Sequence, residues 1–162
     1  MQEGAGLLGW LGSTALADAM RTSLWLYPIV EIVHIAGFTL LVGAIAMFDL
    51  RVLGWSRSLP VDQLGRFLLP WSAAGLLLIV PAGLMMFSAH PHDFASNRVF
   101  LLKLSLIAAA GINALLFHTG VYRTVAAWNA ERTAPMTARL QALASLALWI
   151  TVICCGRLLA YT

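Results

Sequence analysis

Charged side chains are scarce in this sequence. Asp, Glu, Lys and Arg make up 10% of its 162 residues, while 60% are hydrophobic and the mean hydropathy is +0.85. An ordinary soluble chain carries about 25% charge and about 45–50% apolar residues, so soluble enzymes, nucleic-acid readers and disordered regulators are excluded. The net charge of +3 rests on ten Lys and Arg residues, which set topology rather than bind nucleic acid. Cysteine is limited to the adjacent pair Cys154 and Cys155. Neighbours on a helix point about 100° apart and do not form an ordinary bridge, so both read as small hydrophobes facing lipid or core. No basic cluster followed by a small-residue cleavage site opens the chain, where Glu3 stands instead, so the first span is expected to act as its own targeting signal. Paired carboxylates, a Ser-His-Asp order, a phosphate loop and a zinc-protease motif are also missing, which argues against conventional hydrolysis.

What the sequence has instead is four apolar runs, near residues 24–50, 64–89, 99–121 and 140–160, each long enough for the roughly 20 residues that cross a bilayer. The expected fold is an all-α integral membrane protein, a four-transmembrane-helix bundle over residues 24–162, preceded by an interfacial amphipathic segment over residues 1–23. In that segment Leu7, Leu8, Leu11, Ala15, Ala19 and Met20 recur near helical spacing, with Glu3, Ser13, Asp18 and Arg21 on the polar side. Ser13 is expected to cap its later part, and Trp10 and Trp25 suit the aromatic belt. Pro70 and Pro81 predict kinks in the second span. Arg51, Arg57 and Arg66 flank the first connection and Arg123, Arg132 and Arg139 the third, against only Arg21 and Arg98 opposite. The positive-inside rule then predicts both termini and the His90–Arg98 connection outside, which in a bacterium is the periplasmic face of the inner membrane.

A charge at mid-bilayer costs at least about 2.5–3.5 kcal/mol, so Glu31, His34, Asp49, Lys103, His118 and Arg157 need explaining. At about 1.5 Å and 100° per residue, Glu31 and Asp49 lie on one line of the first span, with His34 about 60° away. Lys103 and His118 lie within about 60° of each other on the third, with Asn113 on the other side of Lys103. Depth sorts these groups into two layers. Glu31, His34, Lys103 and Arg157 fall roughly 6–12 Å toward the outside, and Asp49 and His118 roughly 10–16 Å inward, near Arg51 and Arg123.

The outer layer has two readings. In one, Glu31 pairs with Lys103 or Arg157 and His34 hydrogen-bonds a helix carbonyl, fixing register. In the other, His34 ligates a metal cofactor while Lys103 and Arg157 anchor an anionic group, and Gly37, with Ala36, Gly43 and Ala44, leaves room for a flat macrocycle. His34 and His118 differ by about 16 Å in depth, too far to share one iron. A second axial ligand would come from Met85, Met86 or an outer-loop histidine, and a separate site at His118 would need another partner. Met85, Met86, His90 and His92 also form a thioether and imidazole group suited to copper. Gly37, Gly43, Gly75 and Gly111 permit close helix contacts, within a monomer or between subunits of a homo-oligomer.

The stretches Glu31-Ile32-Val33-His34-Ile35-Ala36-Gly37, Phe48-Asp49-Leu50-Arg51 and Asn97-Arg98-Val99-Phe100-Leu101-Leu102-Lys103, then Asn113 and Phe117-His118, resemble small uncharacterised bacterial four-helix inner-membrane proteins. Those in turn distantly resemble the copper-resistance D membrane family. The resemblance implies an inner-membrane protein with a membrane-embedded histidine and a link to copper or redox chemistry. The leading expectation is a redox protein that binds b-type haem, with His34 as axial ligand, Lys103 and Arg157 on the propionates and Glu31 tuning charge. Electrons would pass near the outer face to a quinone or a periplasmic partner. The alternatives are a copper-handling or ion- or proton-conducting protein lined by Glu31, His34, Asp49 and His118, and a non-catalytic structural subunit.

Overall fold

The computed structural model describes residues 6–161; Glu3, assigned above to the polar face of the N-terminal segment, lies outside them. Helices α1 (Leu7–Gly12) and α2 (Ala15–Thr22) precede the long α3 (Leu26–Leu53) and α4 (Val61–Ala89). A short α5 (Pro91–Ser96) leads into α6 (Arg98–Thr119), and a 3₁₀ segment (Val121–Ala127) leads to α7 (Met136–Leu158), which ends in a 3₁₀ turn (Leu159–Tyr161). No strand occurs among the described residues. Four helices are long and apolar enough to cross a membrane, and the chain is a multi-pass membrane protein of the all-α bundle class. At about 1.5 Å per residue α3 and α4 are each over 40 Å long, against a hydrocarbon core of about 30 Å, so their ends reach the headgroups or the helices tilt.

The helices begin and end where local chemistry stops them rather than where hydropathy does. Gly54, at φ +113°, takes the left-handed conformation that closes α3, a position where a Cβ is penalised. Asn97 caps α6 by accepting from the Val99 and Phe100 amides. Such signals carry α3 three residues past its apolar run and start α7 at Met136. The N-terminal segment is two helices, not one. Thr14, rather than Ser13, is the cap, its hydroxyl accepting from the Ala17 amide at 3.2 Å, while the Ser13 hydroxyl donates back to the Trp10 carbonyl. Through Pro70 and Pro81 α4 remains one helix.

Two glycines bring α3 and α4 into backbone contact. A Cβ on Gly37 would stand 2.7 Å from Leu78 Cβ and 2.9 Å from the Gly75 carbonyl oxygen, and one on Gly75 would stand 2.7 Å from the Gly37 carbonyl oxygen. Close approach of this kind is how helices gain packing in lipid, where no hydrophobic force drives them together. The helices associate in the order α4, α3, α7, α6; α3 pairs with α4 and α7, and α6 with α7, whereas α4 and α6 form no extensive interface.

At the end bearing the termini, α2 lies over α4, with Met20, Val30, Ala82 and Ala89 buried among Leu26, Tyr27, Met85 and Met86. Arg21 ties this end together by donating to the Ala89 carbonyl, at the end of α4, and to Gly12.

The opposite end is held by Arg51. Its guanidinium donates to the carbonyls of Leu59 (2.6 Å), Arg57 (3.0 Å) and Asn129 (2.9 Å), drawing both connections onto the end of α3. Asn129 in turn accepts from the Val61 and Asp62 amides, and Val52, Val61, Phe117, Trp128 and Ala138 close an apolar plug beneath. Sequence reasoning took Arg51 for a loop charge, but at 2% exposure it is an interior clamp. Losing three charge-assisted hydrogen bonds is set against removing the desolvation cost of a buried guanidinium. Arg51→Met is therefore expected to lower the unfolding free energy in mild detergent by about 2–4 kcal/mol, less than the sum of the bonds. Arg57→Met, at an exposed guanidinium with one contact to Gly54, should change it little; denaturant titrations of the two variants make the comparison.

Candidate functional site

The outer polar layer does not assemble into the expected network. Glu31 and Arg157 are exposed, His34 and Lys103 half-buried, and no ion pair within 4 Å joins any of them among the described residues. Arg157 instead lies over the Tyr161 ring, 4.8 Å from its centre, and bonds the phenol oxygen. Lys103 runs toward α7 beside Gly156. His34 does contact a helix carbonyl, its Nδ1 lying 3.1 Å from the Ile79 oxygen on α4. A carbonyl only accepts, so Nδ1 carries a proton and donates it to the Ile79 carbonyl. The space expected for a macrocycle at Gly37 is filled by Leu78 and the Gly75 backbone, and the His34 ring packs on Gly83, where a Cβ would stand 3.2 Å from Cε1. These residues therefore do not fit a porphyrin between α3 and α4.

The copper-like group is also dispersed. Met85 and Met86 pack in the apolar cluster beneath α2, His90 Nδ1 faces the Asp93 carboxylate at 3.7 Å, and His92 is exposed. Among the described residues no three His, Cys, Asp or Glu side chains gather to hold a metal. Cys154 is exposed and Cys155 buried, both free.

The inner layer does assemble. Asp49 from α3 and His118 and Asn113 from α6 line one cavity of about 360 Å³, joined by Ser72 from α4 and by Gln141 and Ser145 from α7. Its walls are apolar and aromatic, with Phe48, Phe117 and Trp149 among them. All four long helices line it, including α4 and α6, which form no extensive interface with each other. Phe48 and Phe117 meet edge-on at 5.7 Å, and Tyr122 closes the same end, 5.1 Å from the His118 ring. Tyr122 lies beyond the spans, and its phenol is pushed above the usual range by burial and then by the negative charge of Asp62, partly offset by Arg66.

Hydroxyls in the spans show what is unusual at Asp49. Thr39, Ser72, Ser105, Thr119 and Thr151 each donate to the carbonyl four residues back in their own helix. Ser145 instead reaches across to Asp49. Asp49 is 6% exposed, and its second oxygen, Oδ2, has no hydrogen-bond partner. Asn113 uses its amide nitrogen on the Gln141 carbonyl at 3.0 Å. Depth and helix face brought Asp49 and His118 to one level, as the structure has them. Ser72, Gln141 and Ser145 were not picked out, although Gln141 and Ser145 stand four residues apart on one face of α7 and could have been found by the same reasoning. Arg51 and Arg123, expected nearby, take no part: Arg51 turns to the loops, and Arg123 is exposed.

The geometry at His34 has a measurable consequence. An interhelical hydrogen bond in a membrane is worth about 0.6 kcal/mol and at most about 1.7. His34→Phe, which keeps a ring and loses the donor, is expected to cost that much in unfolding measurements while leaving the visible absorption spectrum unchanged. Loss of a Soret band would show that the histidine had held haem.

Comparison with known proteins adds a kinship but no activity. No curated protein and no solved structure matches the chain, and the copper-resistance D resemblance gains no support. What the sequence shares is a pattern running almost end to end: a family model described as a family of unknown function, DUF6644, matches residues 7–162, taking in every described helix and both polar layers, and the chain belongs to that family.

Proposed function

We propose that the protein binds a small lipid-soluble molecule within the bilayer, in the cavity lined by all four long helices, with Asp49 as the polar anchor. The observation that carries this reading is a cavity of about 360 Å³ lined by Asp49, a nearly fully buried acid whose Oδ2 has no hydrogen-bond partner. Buried polar atoms in native proteins are almost always paired, and an unpaired one asks for an explanation. A ligand supplying a hydrogen-bond donor is one. The cavity falls within the roughly 300–1,000 Å³ of small-molecule sites and shares their make-up, apolar walls with a few convergent polar groups. Its position where α4 and α6 form no extensive interface supports entry sideways from lipid, without passage through either connection.

In this reading the clamped end, with Arg57, Arg66, Arg123 and Arg132 around it, lies in the cytoplasm, and the termini lie outside a bacterial inner membrane. The α3–α4 seam at His34 serves packing, with Nδ1 of that ring on the Ile79 carbonyl and Met85 and Met86 in the apolar cluster beneath α2.

The test uses a small uncharged aryl diazirine added to the protein in lipid nanodiscs and photolysed, with labelled residues mapped by mass spectrometry. Saturable labelling of cavity residues such as Ser72, Gly111 and Ala114 is expected, competed by the parent arene and abolished when Ala114→Trp fills the space. Labelling that never saturates and ignores Ala114→Trp would sink the reading.

A further inference from the structure

Resting on that cavity reading, we infer that the ligand is an organic cation, a protonated or quaternary amine with an aromatic or aliphatic body, that takes the place of a proton on Asp49. The argument is one of unmet charge. Of the groups lining the cavity, only Asp49 is an acid, and no Lys or Arg lines it. Arg51, two residues on, spends its donors on the Leu59, Arg57 and Asn129 carbonyls. An ionised carboxylate in this setting has no counter-ion, and burial of an uncompensated charge is costly. The carboxyl therefore carries a proton until something positive replaces it.

The remaining lining says what kind of positive group. A metal ion needs several oxygen ligands in a tight shell, and no cluster of His, Cys, Asp or Glu gathers here among the described residues. The same cavity is lined by the aromatic rings of Phe48, Phe117 and Trp149, and ring faces attract an ammonium that has shed its water. Three lining donors are committed within the protein, Ser145 to Asp49, Ser72 to Leu68 and Asn113 to Gln141. Once Asp49 gives up its proton, its Oδ2 is an acceptor that no group of the chain meets, which selects a ligand that donates or is charged. Access from lipid completes the specification, since an amphiphilic amine already concentrates in the bilayer.

The exchange balances. The neutral Asp49 carboxyl loses its O–H proton to solvent, the ammonium enters as the counter-ion, and no covalent bond to the ligand forms. One proton leaves for each cation bound. Of the titratable groups facing this cavity, His118 on α6 is the other one, at the exposed rim; α4 and α7 present Ser72, Gln141 and Ser145, which do not titrate.

The experiment is calorimetric titration of the full chain in nanodiscs with benzyltrimethylammonium and, separately, with neopentylbenzene, its uncharged isostere, after subtracting empty nanodiscs. The cation is expected to bind at least about thirtyfold more tightly than the isostere, and Asp49→Asn should remove that advantage. In the unaltered protein cation affinity should fall as pH is lowered, by up to about tenfold per unit where Asp49 holds its proton. Titrations in buffers of different ionisation enthalpy should show one proton released per cation, and His118→Gln should leave that release in place. The unaltered protein thus tests the idea even if Asp49→Asn does not fold.

Equal binding of cation and isostere, with no proton released, would overturn the inference and leave the cavity reading standing. Binding of 2,6-dimethylhydroquinone in place of the cation would overturn it in favour of a neutral hydroxyl donor. If the diazirine also fails to label saturably, the cavity reading falls with it.

Discussion

Lipid offers no hydrogen bonds, and most of what holds this protein together answers that constraint. Backbone groups freed at helix ends and in connections have no water to turn to near the hydrocarbon, so side chains meet them. Arg51 gathers three carbonyls from two connections, and Arg21 meets the last carbonyl of α4. His34 crosses from α3 to the Ile79 carbonyl, and the span hydroxyls fold back on their own helices. Charge inside this molecule is chiefly a source of donors for main-chain oxygen. A guanidinium suits that task because its fork of five N–H groups reaches several acceptors without needing a carboxylate.

Packing then decides where space is left. The Gly37 and Gly75 contact pulls α3 and α4 together along their backbones, and α6 is drawn to α7. With α3 against α7, helices α4 and α6 touch through Phe87 and Phe100 but form no extensive interface. The cavity lies where all four long helices leave space between them. Gly111, on the α6 side of it, faces open space, with nothing within 4 Å of a Cβ built there. Similar small residues thus play opposite parts: Gly37 and Gly75 close a seam, while Gly111 lines the cavity.

The four spans and the two polar layers were legible in the sequence because both follow from the repeat of the α-helix: apolar length marks a span, and 1.5 Å and 100° per residue fix depth and face. Asp49 and His118 were brought to one level by that arithmetic alone. It failed where partners come from loops, since helical geometry says nothing about where the Asn129 carbonyl will lie, and so Arg51 looked like a loop charge. It failed again at Gly37, because a missing side chain reads equally as room for a ligand or as contact with another backbone, and only the position of Gly75 decides between them. The outer layer was misjudged for a related reason. Shared depth was taken to mean contact, but Glu31 and Arg157 sit on exposed faces, and Arg157 is taken up by Tyr161 instead.

Among the described residues the rule of internal satisfaction breaks at three buried side-chain atoms, Asp49 Oδ2, Asp62 Oδ1 and Arg139 Nε, and of these only Asp49 lines the cavity. Ser145 serves one of its needs by reaching across to it, departing from the habit of the other span hydroxyls. A carboxyl kept only for structure would be expected to have both oxygens met, as the carbonyls around Arg51 are, because a half-satisfied polar group in a dry interior is worse than an apolar one. Local departures from an otherwise consistent design fall most often at sites of function. The contrast with Arg51 sharpens the point. Two charged residues stand two positions apart near the same end of α3, both nearly fully buried; one donates to three carbonyls of the chain, and the other keeps an oxygen without a hydrogen-bond partner.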